Sequence, residues 1–423
     1  MLLLSSLLFA VFLLSTFHVS WSVSAVAVVV FVVSAWRAEN GLLVVSGLLP
    51  LATPLGLLMT PVMTGPRVGE LLLLPLLTAI SARQVMRRTA STWLGLAVAA
   101  AATVIVAATV VRLAREHAAD GTFALTPLWT QVTTGYLGDG SPLALRDGMA
   151  WLEGIFLAYV TFLTLATTPG AGERICRMML IGAAAASLFT ANRLAEVFLE
   201  EPRPFRATLE ALEGHRIGLH VPDINAVGSL YALFVVPAFW LAVTGMRAWW
   251  WGAFGSLAFA LWWAGSRAAV AGACGGVMIA ALGGRALSRR VIVVVLLLAA
   301  GALVLYARST VRPMRTTTAI GIRVEMAGVG LRMLAAHPAF GVGLGQFQGT
   351  SRGMLSPELA SLYPFGKNAH NNFVQIAAEF GLVGGFAIGA VLGVPLLMAW
   401  KALARPGSSP ELAGFAGGGP RHS

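Results

Sequence analysis

The stretch Asn368-Ala-His370-Asn371-Asn372-Phe-Val-Gln-Ile-Ala-Ala-Glu379-Phe-Gly381-Leu-Val-Gly384-Gly385 places a histidine and three amides at the mouth of an apolar helix. Small residues follow at every fourth position, at Ala377, Gly381, Gly385, Gly389 and Gly393. This spacing is typical of membrane helices that approach one another closely. His370 lies two turns before Ala377, on nearly the same face. The stretch therefore predicts a transmembrane helix that packs on its small residues and presents His370 where the helix leaves the bilayer.

Composition indicates a membrane protein with many helices. Of 423 residues, 57% are hydrophobic and 11% are charged, whereas a soluble domain carries about 25% charged residues. Cys176 and Cys274 fall in apolar segments and give no sign of a disulfide framework or a zinc site. The N-terminus begins Met1-Leu-Leu-Leu without a basic start, which predicts a retained first helix rather than a cleaved signal.

About twelve apolar runs are long enough to cross, or nearly cross, a bilayer. They are Leu2–Phe17, Trp21–Trp36, Leu42–Met63, Val68–Ile80, Thr92–Val111, Met149–Thr167, Ile175–Phe198, Ile224–Gly245, Trp249–Ala264, Ala268–Gly283, Val291–Tyr306 and Phe373–Trp400. The longest polar segment, Ala307–Asn372, immediately precedes the last run. The predicted fold class is therefore all-α, a polytopic membrane helical bundle with a large loop before its last helix.

The net charge of +11 follows membrane topology rather than a nucleic-acid site. If the N-terminus is inside, the connections on the inner side hold a large excess of Lys and Arg, which is the positive-inside pattern. Examples are Arg83, Arg87, Arg88, Arg289 and Arg290. Both termini are then cytoplasmic, and no nucleic-acid partner is expected. Three polar segments fall outside: Arg112–Gly148, Glu200–Asp223 and Ala307–Asn372.

The longest outer segment has internal order. Ile322, Met326, Val329, Met333 and Ala336 repeat at helical spacing, and they predict a helix that lies on the membrane surface. The glycine-rich run from 338 to 347 that follows predicts a tight re-entrant turn. It is not a dinucleotide fingerprint, because no strand precedes it.

Three outer residues have the chemistry to handle a phosphate-linked substrate: Arg267, Arg323 and His370. Guanidinium groups bind phosphate through two hydrogen bonds, and a helix N-terminus disfavours a protonated histidine, so His370 is expected to be neutral and able to act as a base. No Asp-x-Asp motif lies outside, so neither a metal nor another cofactor is expected. Each residue also has a structural interpretation. The first arginine could be a membrane anchor, the second could merely face water or pair with Glu325, and the histidine segment could be a helix cap.

These residues occur in the order found in one family. His370-Asn371, nine residues, then Gly381-Leu-Val-Gly384-Gly385 resembles the His-Asn, nine residues, Gly-x-x-Gly-Gly signature of the O-antigen ligase/polymerase superfamily. The run Pro338-Ala-Phe-Gly341-Val-Gly343 resembles that family's Pro-x-x-Gly-x-Gly turn. Gly265-Ser266-Arg267 and Gly321-Ile-Arg323 are similar to its two arginine segments, the second less specifically.

The resemblance implies a multi-pass glycosyltransferase of the bacterial inner membrane with its active site in the periplasm. Its donor is a glycan on undecaprenyl pyrophosphate, and transfer inverts the anomeric centre without a metal. In ligases the acceptor is a sugar hydroxyl of the lipid A-core. His370 would then activate or orient the acceptor hydroxyl, Arg267 and Arg323 would bind the leaving pyrophosphate, and Asn371 would hold His370 or contact a sugar. Lys367 and Arg352 are further candidate substrate-binding residues.

The expected organisation has three parts: N-terminal helices over 1–248, a catalytic region over 249–400 that includes the periplasmic loop 307–372, and a cytoplasmic tail over 401–423.

Ligase activity is favoured by chain length and by the single long loop. The first alternative is a repeat-unit polymerase of the same superfamily, whose acceptor is another lipid-linked glycan. A transporter is a more distant alternative, since transporters carry ionisable residues at mid-membrane, and here Arg193 and Glu196 are the exceptions to a peripheral distribution. A structural scaffold without enzymatic activity is the last alternative.

Overall fold

The computed structural model describes residues 6, 21–52, 55, 65–85, 93–119, 143–200, 224–245, 248–283, 313–369 and 371–403. Within these ranges every regular element is helical. Several predicted features lie outside the described residues. They are the runs Leu2–Phe17 and Val291–Tyr306, the segment Glu200–Asp223 apart from Glu200 itself, His370, and the tail beyond Leu403.

The helices are numbered here in chain order. They are α1 (Trp21–Trp36), α2 (Ala38–Leu48), α3 (Gly65–Val85), α4 (Trp93–Ala119), α5 (Leu143–Thr167), α6 (Ala171–Glu200), α7 (Ile224–Gly245), α8 (Ala248–Ala264), α9 (Arg267–Gly283), α10 (Pro313–Ala336), α11 (Phe347–Ser351), α12 (Pro357–Leu362) and α13 (Asn372–Leu403). Short 3₁₀ turns follow α2 at Leu49–Leu51 and α11 at Arg352–Met354.

The prediction of helices from apolar runs is confirmed where the structure describes them, and two bounds need correction. The predicted bounds of α1 and α7 agree with the structure. The run Leu42–Met63 is not one helix, because α2 gives way to a 3₁₀ turn that contains Pro50. The outer segment Arg112–Gly148 is shorter than predicted, since α4 continues to Ala119 and α5 begins at Leu143. Charged residues near these ends do not terminate either helix.

Four of the described helices contain segments long and apolar enough to cross a membrane, and the protein is a multi-pass membrane protein. The segments are Trp93–Glu116, Asp147–Thr167, Ala171–Asn192 and Asn372–Met398. Five shorter apolar helices accompany them in the described ranges. Helix α4 shows why lipid is the fitting solvent, because it buries Leu94 and Ile105 while Leu96 and Val110 remain exposed. A helix that is apolar on all sides matches a membrane environment. The total of twelve spans stays a prediction.

The chain divides into two compact units. The first comprises Met1–Ala38, Leu73–Thr167 and Arg312–Ala404, and the second comprises Glu39–Leu72, Thr168–Val311 and Arg405–Ser423. In the second unit α6, α7, α8 and α9 share an apolar core around Tyr231, whose hydroxyl lies 3.0 Å from the hydroxyl of Thr190. The turn between α8 and α9 is tight, with Gly265 at φ 63° and Ser266 buried against Gly228.

In the first unit α4, α5, α10 and α13 surround the polar segment before α13. Helices α4 and α5 approach closely at Gly148, where an added Cβ would lie 3.1 Å from Cβ of Thr109. Helix α10 confirms the predicted amphipathic helix, because Met326, Val329 and Met333 are fully buried. It begins at Pro313, so Arg323 lies in its middle rather than at its start. That α10 lies on the membrane surface stays a prediction.

Candidate functional site

The glycine-rich turn between α10 and α11 docks into a break in α13. Gly381 has φ 64° and ψ −165°, a backbone conformation that only glycine adopts readily and that interrupts the helical hydrogen bonds. The turn replaces them: the amides of Val342 and Gly343 donate to the carbonyls of Ala378 and Glu379, at 2.9 and 3.0 Å. In return, the amides of residues 382 and 383 donate to the carbonyls of residues 338 and 339, at 2.8 and 3.2 Å. The predicted tight turn is confirmed. It is bonded to the residues on both sides of the signature glycine Gly381.

The carboxylate of Glu379 fixes the other end of the turn. Its Oε2 accepts a hydrogen bond from the amide of Gly345 at 2.9 Å, and its Oε1 accepts from the amide of Phe347 at 3.4 Å. Gln375, one helical turn earlier, donates to Oε1 from Nε2 at 3.1 Å. Glu379 is only 4% exposed, and a buried carboxylate is stable only when its oxygens are hydrogen-bonded in this way. The side chain therefore acts as a clamp between α13 and the start of α11.

A cavity of about 480 Å³ opens beside this clamp, within the first unit. Its lining comes from α4, α5, the glycine-rich turn, α11 and the start of α13. The residues are Arg112, Asp147, Ala150, Trp151, Leu344, Gly345, Gln348, Asn368, Gln375 and Glu379. Asn368 precedes His370 by two residues in the sequence. The nine-residue interval of the signature contributes Gln375 and Glu379 to the cavity.

Arg112 is the buried cation of this cavity, and its charge is already matched. Its Nε donates to Glu116 at 2.8 Å, and its Nη1 donates to Asp147 at 2.6 Å. The Arg112 side chain is 7% exposed, against 35% for Glu116 and 45% for Asp147. These contacts tie α4 to α5. A guanidinium held between two carboxylates is not free to bind a pyrophosphate in the same way.

The surroundings of Arg323 in α10 fit both phosphate binding and simple exposure to water. It is exposed, and the described residues offer its guanidinium no hydrogen bond or ion pair. The alternative partner Glu325 is engaged elsewhere, because it accepts hydrogen bonds from the amide and hydroxyl of Ser356 at 2.7 and 3.1 Å. The Arg323–Glu325 pair considered from the sequence is therefore wrong for the described part of the chain.

Asn371 caps α13, as the structural interpretation of its segment predicts. Its Oδ1 accepts hydrogen bonds from the amides of Phe373 and Val374, at 3.0 and 3.2 Å. This satisfies two amide groups that lack partners inside the helix. The Lys367 ammonium lies 4.6 Å from the ring centre of Tyr363, and its backbone is held by Ser351. Arg352 is exposed in the 3₁₀ turn after α11.

The predicted site residues are divided between the two compact units. Arg323, Asn371, Lys367 and Arg352 belong to the first unit, whereas Arg267 begins α9 in the second unit. The side chain of Arg267 and the whole of His370 lie outside the described part of the chain. Among described side chains there is no group of three or more His, Cys, Asp or Glu residues placed to hold a metal ion.

Sequence analysis missed the polar residues of the cavity. Glu379 lies within an apolar helix, and a carboxylate in such a place is itself a sign of a specific role. Arg112 and Glu116 were placed in a loop, although their spacing of four residues is that of a helical ion pair. The small residues were predicted to pack against neighbours. The described structure instead puts no atom within 4 Å of an added Cβ at Gly385, Gly389 or Gly393.

Comparison with known families decides the relationship of the region that carries the signature. The model of the family described as "O-Antigen ligase" matches residues 232–389. The match places the similarity to this family in residues 232–389. The resemblance drawn from the signature is thereby confirmed over this region. No curated protein and no solved structure matches the chain. The O-antigen ligase region begins in α7, includes the glycine-rich turn and Glu379, and ends in α13 after Gly389.

Proposed function

We propose that this protein is a glycosyltransferase that moves a glycan from undecaprenyl pyrophosphate onto a sugar hydroxyl of the lipid A-core. The observation that carries the proposal is the folded form of the signature. Its His370-Asn371 part precedes and caps α13, and its first glycine, Gly381, is the point at which the glycine-rich turn docks. The spacing of nine residues therefore sets the length of a half-helix between a cap and a break, which explains why the signature has a fixed spacing.

The transfer is a displacement at the anomeric carbon. The acceptor oxygen forms a bond to that carbon on the face opposite the leaving group, and the bond to the pyrophosphate oxygen breaks. In this proposal His370 takes or orients the acceptor proton. The departing lipid pyrophosphate keeps the electron pair, and Arg323 and Arg267 stabilise its negative charge. The unpaired, exposed state of Arg323 in the described structure supports its part in this scheme.

A repeat-unit polymerase is the second candidate, because the O-antigen ligase/polymerase superfamily includes both activities and the donor chemistry is the same. Only the acceptor differs. Purified protein in detergent should therefore receive lipid-linked repeat units with and without a lipid A-core acceptor. Product that forms only with the acceptor supports a ligase, and a ladder of products without it supports a polymerase. If folded protein gives no product in either reaction, the proposed function is wrong.

The proposal includes an orientation in the bacterial inner membrane, with the loop 307–372 in the periplasm and the region 249–400 as the catalytic part. Arg352 offers a direct test because it is exposed and far from the two native cysteines in sequence. Arg352→Cys should react with a maleimide that cannot cross the inner membrane, added to cells with a permeabilised outer membrane. A cysteine in place of Arg289, predicted to be cytoplasmic, is the matched control and should stay unlabelled. The reverse pattern would contradict the orientation.

A further inference from the structure

The cavity beside Glu379 contains polar groups that the described structure leaves without partners. Asp147 uses Oδ2 for Arg112, and its Oδ1 accepts no hydrogen bond from the described residues. Gln375 donates through Nε2, whereas its Oε1 has no hydrogen bond within the same part of the chain. The side-chain amides of Asn368 and Gln348 likewise make no hydrogen bonds to described residues. Because amides both donate and accept, these side chains together can satisfy neighbouring hydroxyl groups.

The charges around the cavity argue against a phosphate as the group bound there. Among the described lining residues, the cation Arg112 is opposed by the carboxylates of Asp147 and Glu379. A third carboxylate, Glu116, also contacts the guanidinium. The lining carboxylates would repel a phosphate in the same cavity, and Arg112, already paired with two carboxylates, would stabilise it little. An uncharged polar ligand avoids this cost.

The cavity also offers apolar surface in one place. Trp151 lines it, and its ring is fixed by an edge contact with Phe380, with ring centres 5.8 Å apart and planes at 82°. A large rigid aromatic side chain with a polar edge is suited to a ligand that has both C–H surface and hydroxyl groups. The volume, about 480 Å³, lies in the range of small-molecule sites. Sugar rings combine these properties.

We infer that this cavity is a binding subsite for an uncharged, hydroxyl-rich sugar segment of the transferred glycan. This inference rests on the proposed function and adds to it the location of a sugar-binding subsite. It also separates two tasks: Arg323, which does not line the cavity, handles the pyrophosphate, while Asn368, Gln348, Gln375 and Trp151 hold sugar. The subsite sets where a sugar ring lies relative to the signature segment at the start of α13.

The test uses the double variant Asn368→Leu/Gln348→Leu. Leucine is similar in size to both residues and removes both side-chain amides. Neither the Asn368 nor the Gln348 side chain makes a hydrogen bond to the described residues, so the double variant should still fold. Gln346→Leu is the matched control, because the same change is made on the same segment at a residue that does not line the cavity. Binding is measured by saturation-transfer NMR on full-length protein in detergent. The probe is the free repeat-unit oligosaccharide released from the donor by mild acid.

We expect the double variant to weaken oligosaccharide binding about tenfold, which is the effect of losing two ordinary hydrogen bonds. The control should bind as the unaltered protein does. In the transfer reaction, the double variant should raise KM for the glycan substrate by a similar factor with kcat within about twofold. Equal oligosaccharide binding by all three proteins, or none by the unaltered protein, would overturn the subsite. The binding result is independent of turnover, so sugar bound here without any transfer would contradict the proposed function instead.

Discussion

Replacement of Gly381 by alanine should release the glycine-rich turn from α13. An added Cβ would lie 2.5 Å from the carbonyl carbon of Ala339 and from the amide nitrogen of Phe340, both of which are backbone atoms. The backbone conformation at Gly381 costs a non-glycine residue about 1–3 kcal/mol. The strain falls on the docked form alone, whereas the four backbone hydrogen bonds are lost on opening in both proteins. The expected shift of the opening equilibrium is about 3 kcal/mol, the upper end of the strain, because the steric clash adds to it.

Hydrogen exchange measures this shift locally. A shift of about 3 kcal/mol raises the population of the opened turn roughly a hundredfold, because about 1.4 kcal/mol corresponds to a factor of ten. Amides in a peptide covering residues 338–347 should therefore exchange about a hundred times faster in Gly381→Ala than in the unaltered protein. Mass spectrometry of the detergent-solubilised protein resolves that peptide.

Two glycines of the same helix provide controls. Gly385 and Gly389 are helical, and no described atom lies within 4 Å of a Cβ added at either position. Gly385→Ala and Gly389→Ala should leave exchange in the turn unchanged, and alanine favours a helix over glycine by about 1 kcal/mol. Unchanged exchange in Gly381→Ala would refute the docking of the turn at the helix break. Equal acceleration in all three variants would show that α13 responds as a whole instead.

Three further substitutions test the supports around the cavity. Glu379→Gln replaces one of the two acceptor oxygens with an NH₂ group, which would face N–H donors instead of accepting from them. It should lower the free energy of unfolding by about 1–3 kcal/mol and lower the thermal unfolding midpoint. An unchanged midpoint would contradict the role of Glu379 as a clamp. Arg112→Lys keeps the charge but cannot contact Glu116 and Asp147 from separate nitrogens. Since both carboxylates are partly exposed, it should cost only about 1 kcal/mol, and a loss as large as that of Arg112→Ala would contradict this account. Asn371→Ala should destabilise α13 by about 1 kcal/mol, whereas Asn371→Ser should keep the cap; if the serine variant is stable but inactive in transfer, Asn371 contacts substrate as well.

The helices could be predicted from the sequence because a bilayer leaves a strong one-dimensional signal. Runs of apolar residues gave α1 and α7 with their observed ends, and the spacing of Met326, Val329 and Met333 gave the buried face of α10. Helix ends that were inferred from the first charged residue were less predictable. Arg112 remains helical because its charge is matched across α4 and α5, and a partner 35 residues away in sequence is invisible to local patterns.

The signature glycines show the same limit. Their spacing of four residues favoured helix packing over the whole series. Within the described residues, the buried face of α13 contains Phe380, Gly384 and Ile388, and an added Cβ at Gly384 would lie 3.1 Å from Val104. Gly381 has a different task, because it permits the helix break. A backbone conformation of this kind depends on a turn that lies forty residues earlier in the chain, and residue type alone does not distinguish it from a packing glycine.

The central claim is glycan transfer through His370, and one reaction tests it most directly. Lipid-linked glycan, a lipid A-core acceptor and purified protein are combined in EDTA, and product is quantified on a gel for the unaltered protein and for His370→Ala. Equal thermal unfolding midpoints for the two proteins serve as the check that both are folded. The account predicts product from the unaltered protein despite the chelator, and none above background from the variant. Full transfer by folded His370→Ala, or transfer that stops in EDTA and returns with added metal, would contradict it.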